Sequence, residues 1–122
     1  MIKQLLTALL IAGLSATAKA EPTVYYCNMT ALVKVDADGT VNKYTPERFT
    51  MKVEGRTVSF GGDGYMGGSK GELEQSFDPE IPSFWSVDGK FAFVDNVLIH
   101  SQRSAFGKDK FVISFIARCE DF

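Results

Sequence analysis

The chain is 122 residues long, 45% hydrophobic, and carries 13 basic against 15 acidic side chains, two cysteines and one histidine. A net charge of −2 without clustered Lys or Arg speaks against nucleic-acid and anionic-lipid binding. One histidine and two cysteines that can pair with each other leave too few soft or imidazole ligands for a transition-metal site.

Met1 to Ala20 reads as a secretory signal peptide. Lys3 supplies the positive start, Leu5 to Leu14 the apolar run, and Ala18-Lys-Ala20 the small-x-small pattern for cleavage before Glu21. Cleavage removes Lys3 and Lys19 and leaves one β-domain, residues 21–122, with 11 basic and 15 acidic side chains. A periplasmic or secreted bacterial location follows. An oxidising compartment then predicts a disulfide between Cys27 and Cys119. Past Ala20 no apolar run approaches the roughly 18 residues that a membrane span needs. Phe122 does not end an outer-membrane strand either, because Glu120 and Arg118 stand where lipid-facing residues belong. The expectation is a monomer with no membrane span and no nucleic-acid partner.

The remainder alternates with the period of half-buried strands. Tyr25, Cys27, Met29, Ala31, Val33 and Val35 share one face of the first strand, and Asp38-Gly39 turns it into Thr40 to Tyr44. Phe49 to Glu54 and Thr57 to Phe60 form a hairpin about Gly55-Arg56. Gly61 to Gly71 holds six of the eleven glycines and reads as a binding loop or a bulged strand. Lys70 to Phe77 fits a helical turn or a strand. Phe84 to Val87 and Lys90 to Val94 form a second hairpin about Asp88-Gly89, a pair suited to a type I′ turn. Asp95-Asn96 then turns into Val97 to Ser101, and Gly107-Lys-Asp109 introduces the last strand, with Phe111, Ile113, Phe115, Ala117 and Cys119 on its apolar face. The fold class is therefore all-β: a small antiparallel β-barrel or sandwich of about seven or eight strands, closed by one disulfide whose sulfurs both point inward.

Three patterns touch on chemistry. The glycine segment lacks a P-loop, since Ser69 precedes Lys70 and no helix follows to hold an anion. Asp36-Ala-Asp38-Gly with Glu47 at the twelfth position brushes against a calcium loop. It has Val41 where the EF-hand glycine belongs, and Asp-x-Asp-Gly suits an ordinary turn. His100 has Ser101, Ser104 and Asp95 nearby in sequence, but adjacent strand residues face opposite ways, so no triad is expected and a surface or partly buried ring is. Carboxylate pairs such as Glu72 with Glu74 lack the cleft that glycosidases need.

At Tyr26-Cys27, Phe84-Trp85-Ser86 and Ala117-Arg118-Cys119 the chain resembles small secreted proteobacterial β-domains and is similar to the periplasmic and membrane-bound inhibitors of C-type lysozyme. That resemblance implies a compact antiparallel barrel and a loop that enters the lysozyme active site, for which Ser69 and Lys70 are the candidates. The chain departs from the family where 34 positions separate Trp85 from Cys119, and where Val87-Asp88-Gly89 replaces a basic residue before glycine.

The leading expectation is a non-catalytic binding module for an envelope protein or small ligand. Its contacts would be Tyr65, Met66, Ser69 and Lys70 of the glycine segment together with Trp85, since loops and exposed aromatics on a rigid scaffold carry recognition. Lysozyme inhibition is the alternative and a small hydrolase the third reading. No catalytic residue, metal or cofactor is assigned.

Overall fold

A computed structural model describes residues 22–104 and 110–121. The signal peptide expected over residues 1–20, the segment Gly107 to Asp109 expected to introduce the last strand, and Phe122 lie outside the described residues. Nine antiparallel strands form one sheet: β1 (Thr23–Asp36), β2 (Val41–Tyr44), β3 (Arg48–Glu54), β4 (Thr57–Gly61), β5 (Lys70–Glu72), β6 (Phe84–Trp85), β7 (Phe91–Val94), β8 (Val97–Ser104) and β9 (Phe111–Asp121). Their spatial order is β5-β4-β3-β1-β9-β8-β7-β6, with β2 on the far half of β1. This agrees with the expected antiparallel β-barrel of about seven or eight strands, the ninth being the short β5, for which a strand is one of the two readings. Among the described residues no helix is long and apolar enough to cross a membrane.

The sheet curls into a half-barrel until its two edges touch. Leu73 and Ser86 form one bridge between them, flanked by Glu74 N–H to the Trp85 carbonyl at 3.0 Å and Val87 N–H to the Glu72 carbonyl at 2.8 Å. Lys70 to Phe77 thus does not turn as a helix. Its first three residues are strand, and Leu73, wholly buried, seals the seam. Side chains alternate across each strand, so Met51, Val53, Val58, Phe60, Phe91, Phe93, Leu98 and Phe115 all enter the concave side and form its core.

Cys27 and Cys119 lie directly opposite each other on β1 and β9, with Cα atoms 4.1 Å apart and a disulfide between them. Cys119 N–H donates outward to the Asn96 carbonyl at 2.8 Å. That direction marks the cysteines as a non-hydrogen-bonded pair, where antiparallel side chains approach closest. The bridge joins the first and last strands in the interior, as expected, and sits at the middle of the strand order.

Two local expectations are corrected. Past Met29 the face of β1 flips: Met29 pairs with Ala117 but Ala31 with Ile116, so Thr30 is an extra residue, a β-bulge. Its hydroxyl donates to the Ile116 carbonyl at 3.1 Å. Leu32 therefore turns inward, while Ala31 and Val35 face out. The type I′ geometry expected at Asp88-Gly89 occurs instead at Asp95-Asn96, where both φ angles are positive, at 53° and 63°, and Val94 pairs with Val97. Asp88-Gly89 belongs to a longer loop with only Gly89 at positive φ and Gly89 N–H donating to the Ser86 carbonyl at 3.1 Å. The Asp36 to Gly39 segment is an ordinary turn: Gly39 N–H donates to the Asp36 carbonyl at 2.9 Å and Thr40 N–H to Asp38 Oδ1 at 2.9 Å.

Candidate functional site

The glycine segment is a tight loop over the open end of the half-barrel. Phe60 N–H donates to the Ser69 carbonyl at 2.9 Å and Gly68 N–H to the Phe60 carbonyl at 3.0 Å, so the loop continues the β4–β5 pairing. Gly68, at φ 80°, occupies a conformation that L-residues rarely adopt. A Cβ on Gly67 would run into the Gly62 carbonyl, so the loop can fold this tightly only with glycine there. Glu47 Oε2 accepts from Tyr65 N–H at 2.7 Å and fixes the tip from outside. Met66, 2% exposed, plugs the core and is an anchor for the loop rather than a surface contact.

A hollow of about 230 Å³ is bordered by Tyr65, Met66, Ser69 and Lys70 of the glycine segment together with Asp88, Lys90, Phe91, His100 and Gln102. Four of the five expected contact residues are thus brought together. Trp85 is not among them: it points to the outer face and is 60% exposed. Asp88, Lys90, His100 and Gln102 escaped the sequence reading. Parity with Leu98, which places His100 and Gln102 on the inner face, was the available signal.

His100 is buried, at 2% exposure, which corrects the expected surface or partly buried ring. It stacks on Phe91 at 4.6 Å between ring centroids and tilts against Phe115 at 4.9 Å. Its Nε2 meets the Tyr65 hydroxyl at a long 3.3 Å, and that hydroxyl donates to Gln102 Oε1 at 3.3 Å. Nδ1 is buried and without a hydrogen bond, and which ring nitrogen donates follows from the tautomer. Burial pushes the His100 pKa down to about 4; the Lys90 carbonyl works against the shift without reaching hydrogen-bonding geometry with the ring. Burial likewise raises the Tyr65 pKa. Burial would raise Asp88 as well, but donation from Lys90 N–H at 3.0 Å and Ser86 Oγ at 2.7 Å, with the Lys90 charge, holds it below the usual carboxylate range.

The folded His100 pKa lies below its ordinary 6.5, so the unfolded chain takes the proton first. Stability is intact above about pH 6.5 and is lost as pH falls toward 4, by about 2 kcal/mol at pH 5. Urea unfolding at pH 7 and pH 5 should show this loss in the native protein and lose most of it in His100→Phe, which keeps the stacked ring. An equal drop in the variant would assign the effect to carboxylates instead.

The ion pairs among the described residues, Lys34–Asp36 at 3.5 Å and Arg56–Glu72 at 3.8 Å, involve neither Lys70 nor Lys90. Lys70 and Lys90 both border this one hollow, with hydroxyl and amide groups and the Asp88 carboxylate beside them, and each also borders a hollow on the outer face. Among the described residues no group of His, Cys, Asp and Glu is arranged to hold a metal ion. No family model matches this chain, and comparison with curated proteins and with solved structures returns no match.

Proposed function

We propose that the protein is an exported, non-catalytic binding module that takes a small oxyanion-bearing ligand into the hollow beneath the glycine loop. The observation that carries this reading is the pair Lys70 and Lys90, outside any ion pair among the described residues, bordering one hollow with Tyr65, Ser69 and Gln102. Against the one carboxylate of Asp88 on the same hollow, the two lysines leave a local excess of positive charge. Lysines act as point charges rather than forks, so the site fits a carboxylate or a phosphate without demanding bidentate geometry. At about 230 Å³ it falls below the usual range for drug-sized ligands, roughly 300–1,000 Å³, and suits a small group or one side chain of a larger partner. Against catalysis stands the environment of His100, whose Nε2 meets Tyr65 and whose ring faces Phe91 and Phe115, with no serine or carboxylate hydrogen-bonded to it among the described residues.

Titration of the labelled protein with inorganic phosphate and, separately, succinate should move the amide resonances of residues 65–70 and 88–90. The double variant Lys70→Gln, Lys90→Gln should abolish those shifts. Silence toward both anions, or shifts that persist in the double variant, would sink the proposal.

Lysozyme inhibition is the second reading, favoured by Ser69 and Lys70 standing together at the rim of the hollow, where the loop passes into β5. Excess protein should then slow lysis of bacterial cells by a C-type lysozyme; undiminished lysis dismisses it.

A further inference from the structure

On β6 to β9 every residue not directed to the core faces outward, and there the pattern expected of a solvated sheet fails. Trp85 pairs with Ala92, Ala92 with Ile99, and Ile99 with Ile116, a continuous apolar row across four strands. Trp85 is 60% exposed, Ile99 49% and Ile116 46%, and Val87 and Val94 extend the row at 54% and 43%. Together they present roughly 500 Å² of contiguous apolar surface, at the upper end of what monomers leave uncovered.

The relief of this face matters as much as its area. Ala92 is the small member of the row, and above it lies an apolar hollow of about 300 Å³ bounded by Trp85, Val94, Val97 and Ile99. A projecting indole and a hollow able to receive one thus stand side by side on the same face. That is the self-complementarity an isologous two-fold contact requires, in which each copy offers both knob and hole. The charges at the two ends agree with it. Lys90 and Arg103, with Asp88 beside Lys90, stand where β7 begins and β8 ends, whereas Asp95 and Glu120, with Arg118 one row further in, stand at the opposite end. A two-fold that exchanges the ends brings the cationic end of one copy over the end that carries the carboxylates of the other.

We infer that the outer face of β6–β9 is a homodimer interface, with Trp85 of each copy seated over Ala92 of the other. Stacking two such faces buries about 1,000 Å² of apolar surface plus the rim, the lower bound for a specific interface. Affinity in the micromolar range is expected for an interface of this size. The apolar face shares only Lys90 with the anion site, since Lys90 borders both hollows, and neither Trp85 nor Ala92 lines that site.

Sedimentation velocity on the protein from micromolar to hundreds of micromolar should show the mass doubling with concentration, with a blue shift of Trp85 emission over the same range. Trp85→Ala should hold the protein monomeric with its melting temperature little changed. Ala92→Leu is the discriminating variant: it fills the hollow while adding apolar surface, so a specific dimer weakens at least tenfold whereas non-specific adhesion strengthens. A monomer throughout the range overturns the inference, as does a dimer indifferent to both substitutions. If the monomer instead binds an added tryptophan-containing peptide through this face, the occupant is a different protein and the homodimer is refuted.

Discussion

Removing the Cys27–Cys119 bridge should lower the melting temperature by roughly 20 °C while leaving the β-sheet spectrum of the folded protein intact. The two cysteines are 92 positions apart, and the chain-entropy account of a loop that long gives about 4.6 kcal/mol, an upper figure that denatured-state structure reduces. For a domain near 100 residues each kcal/mol is worth about 4–8 °C. Little of the effect should come from the native state. Eleven residue pairs hold β1 to β9 in register around the bridge, and strands on both sides continue the sheet. The reduced protein keeps those contacts but unfolds into a far larger ensemble. Both cysteines are at most 2% exposed, so reductant reaches the bridge through opening of the fold. Thermal unfolding of the oxidised protein, and of the Cys27→Ala, Cys119→Ala double variant, measures the effect. A loss below about 1 kcal/mol would mean that the denatured chain already holds its ends together, contrary to the entropic account.

Phe93→Ala should cost about 3–5 kcal/mol, a large part of the roughly 5–15 kcal/mol that such a domain has in total. Phe93 is wholly buried on β7, stacked on Phe84 at 5.3 Å and edge-on to Tyr25 at 5.0 Å. It thereby ties the short hairpin β6–β7 to the oldest part of the sheet in chain order, β1. Truncation removes a ring that its neighbours, themselves held in strands, cannot collapse to replace. Trp85→Ala on the same hairpin is the control: its ring is larger but faces outward, and at low protein concentration the change should stay within about 0.5 kcal/mol. Equal losses in urea unfolding would show that the inner and outer faces of this hairpin have been exchanged.

Such contrasts between neighbours show where the sequence is informative. Phe49 to Val53, Thr57 to Phe60 and Phe111 to Cys119 carry one unbroken alternation each, and the faces read from them are the faces observed. At β1 the same reasoning failed halfway. Ala31, Val33 and Val35 are as apolar as Tyr25, Cys27 and Met29, so nothing local marks Thr30 as the extra residue; the bulge is defined by register against β9. His100 was misjudged for a different reason. A lone histidine has no preferred side, and its burial follows from Phe91 and Phe115 being its cross-strand partners. The candidate site was half legible: the glycine loop declared itself by composition, but the rest of the hollow's border comes from residues 88–102, which no local pattern connects to it.

The amino-acid sequence alone determined the all-β class, the hairpin turns at Gly55 and Asp95, the pairing of the two cysteines and the inward faces of most strands. The cysteine pairing follows from there being only two cysteines in the chain; the rest depend on interactions within a few residues, chiefly the two-residue period of the strand and the φ preferences of turn residues. Only the tertiary structure decided the strand order, the bulge, the seam at Leu73 and Ser86, the burial of His100 and the separation of Trp85 from the hollow. Each of these depends on how far the sheet twists and curls before its edges meet, a property summed over all nine strands and therefore written in none of them.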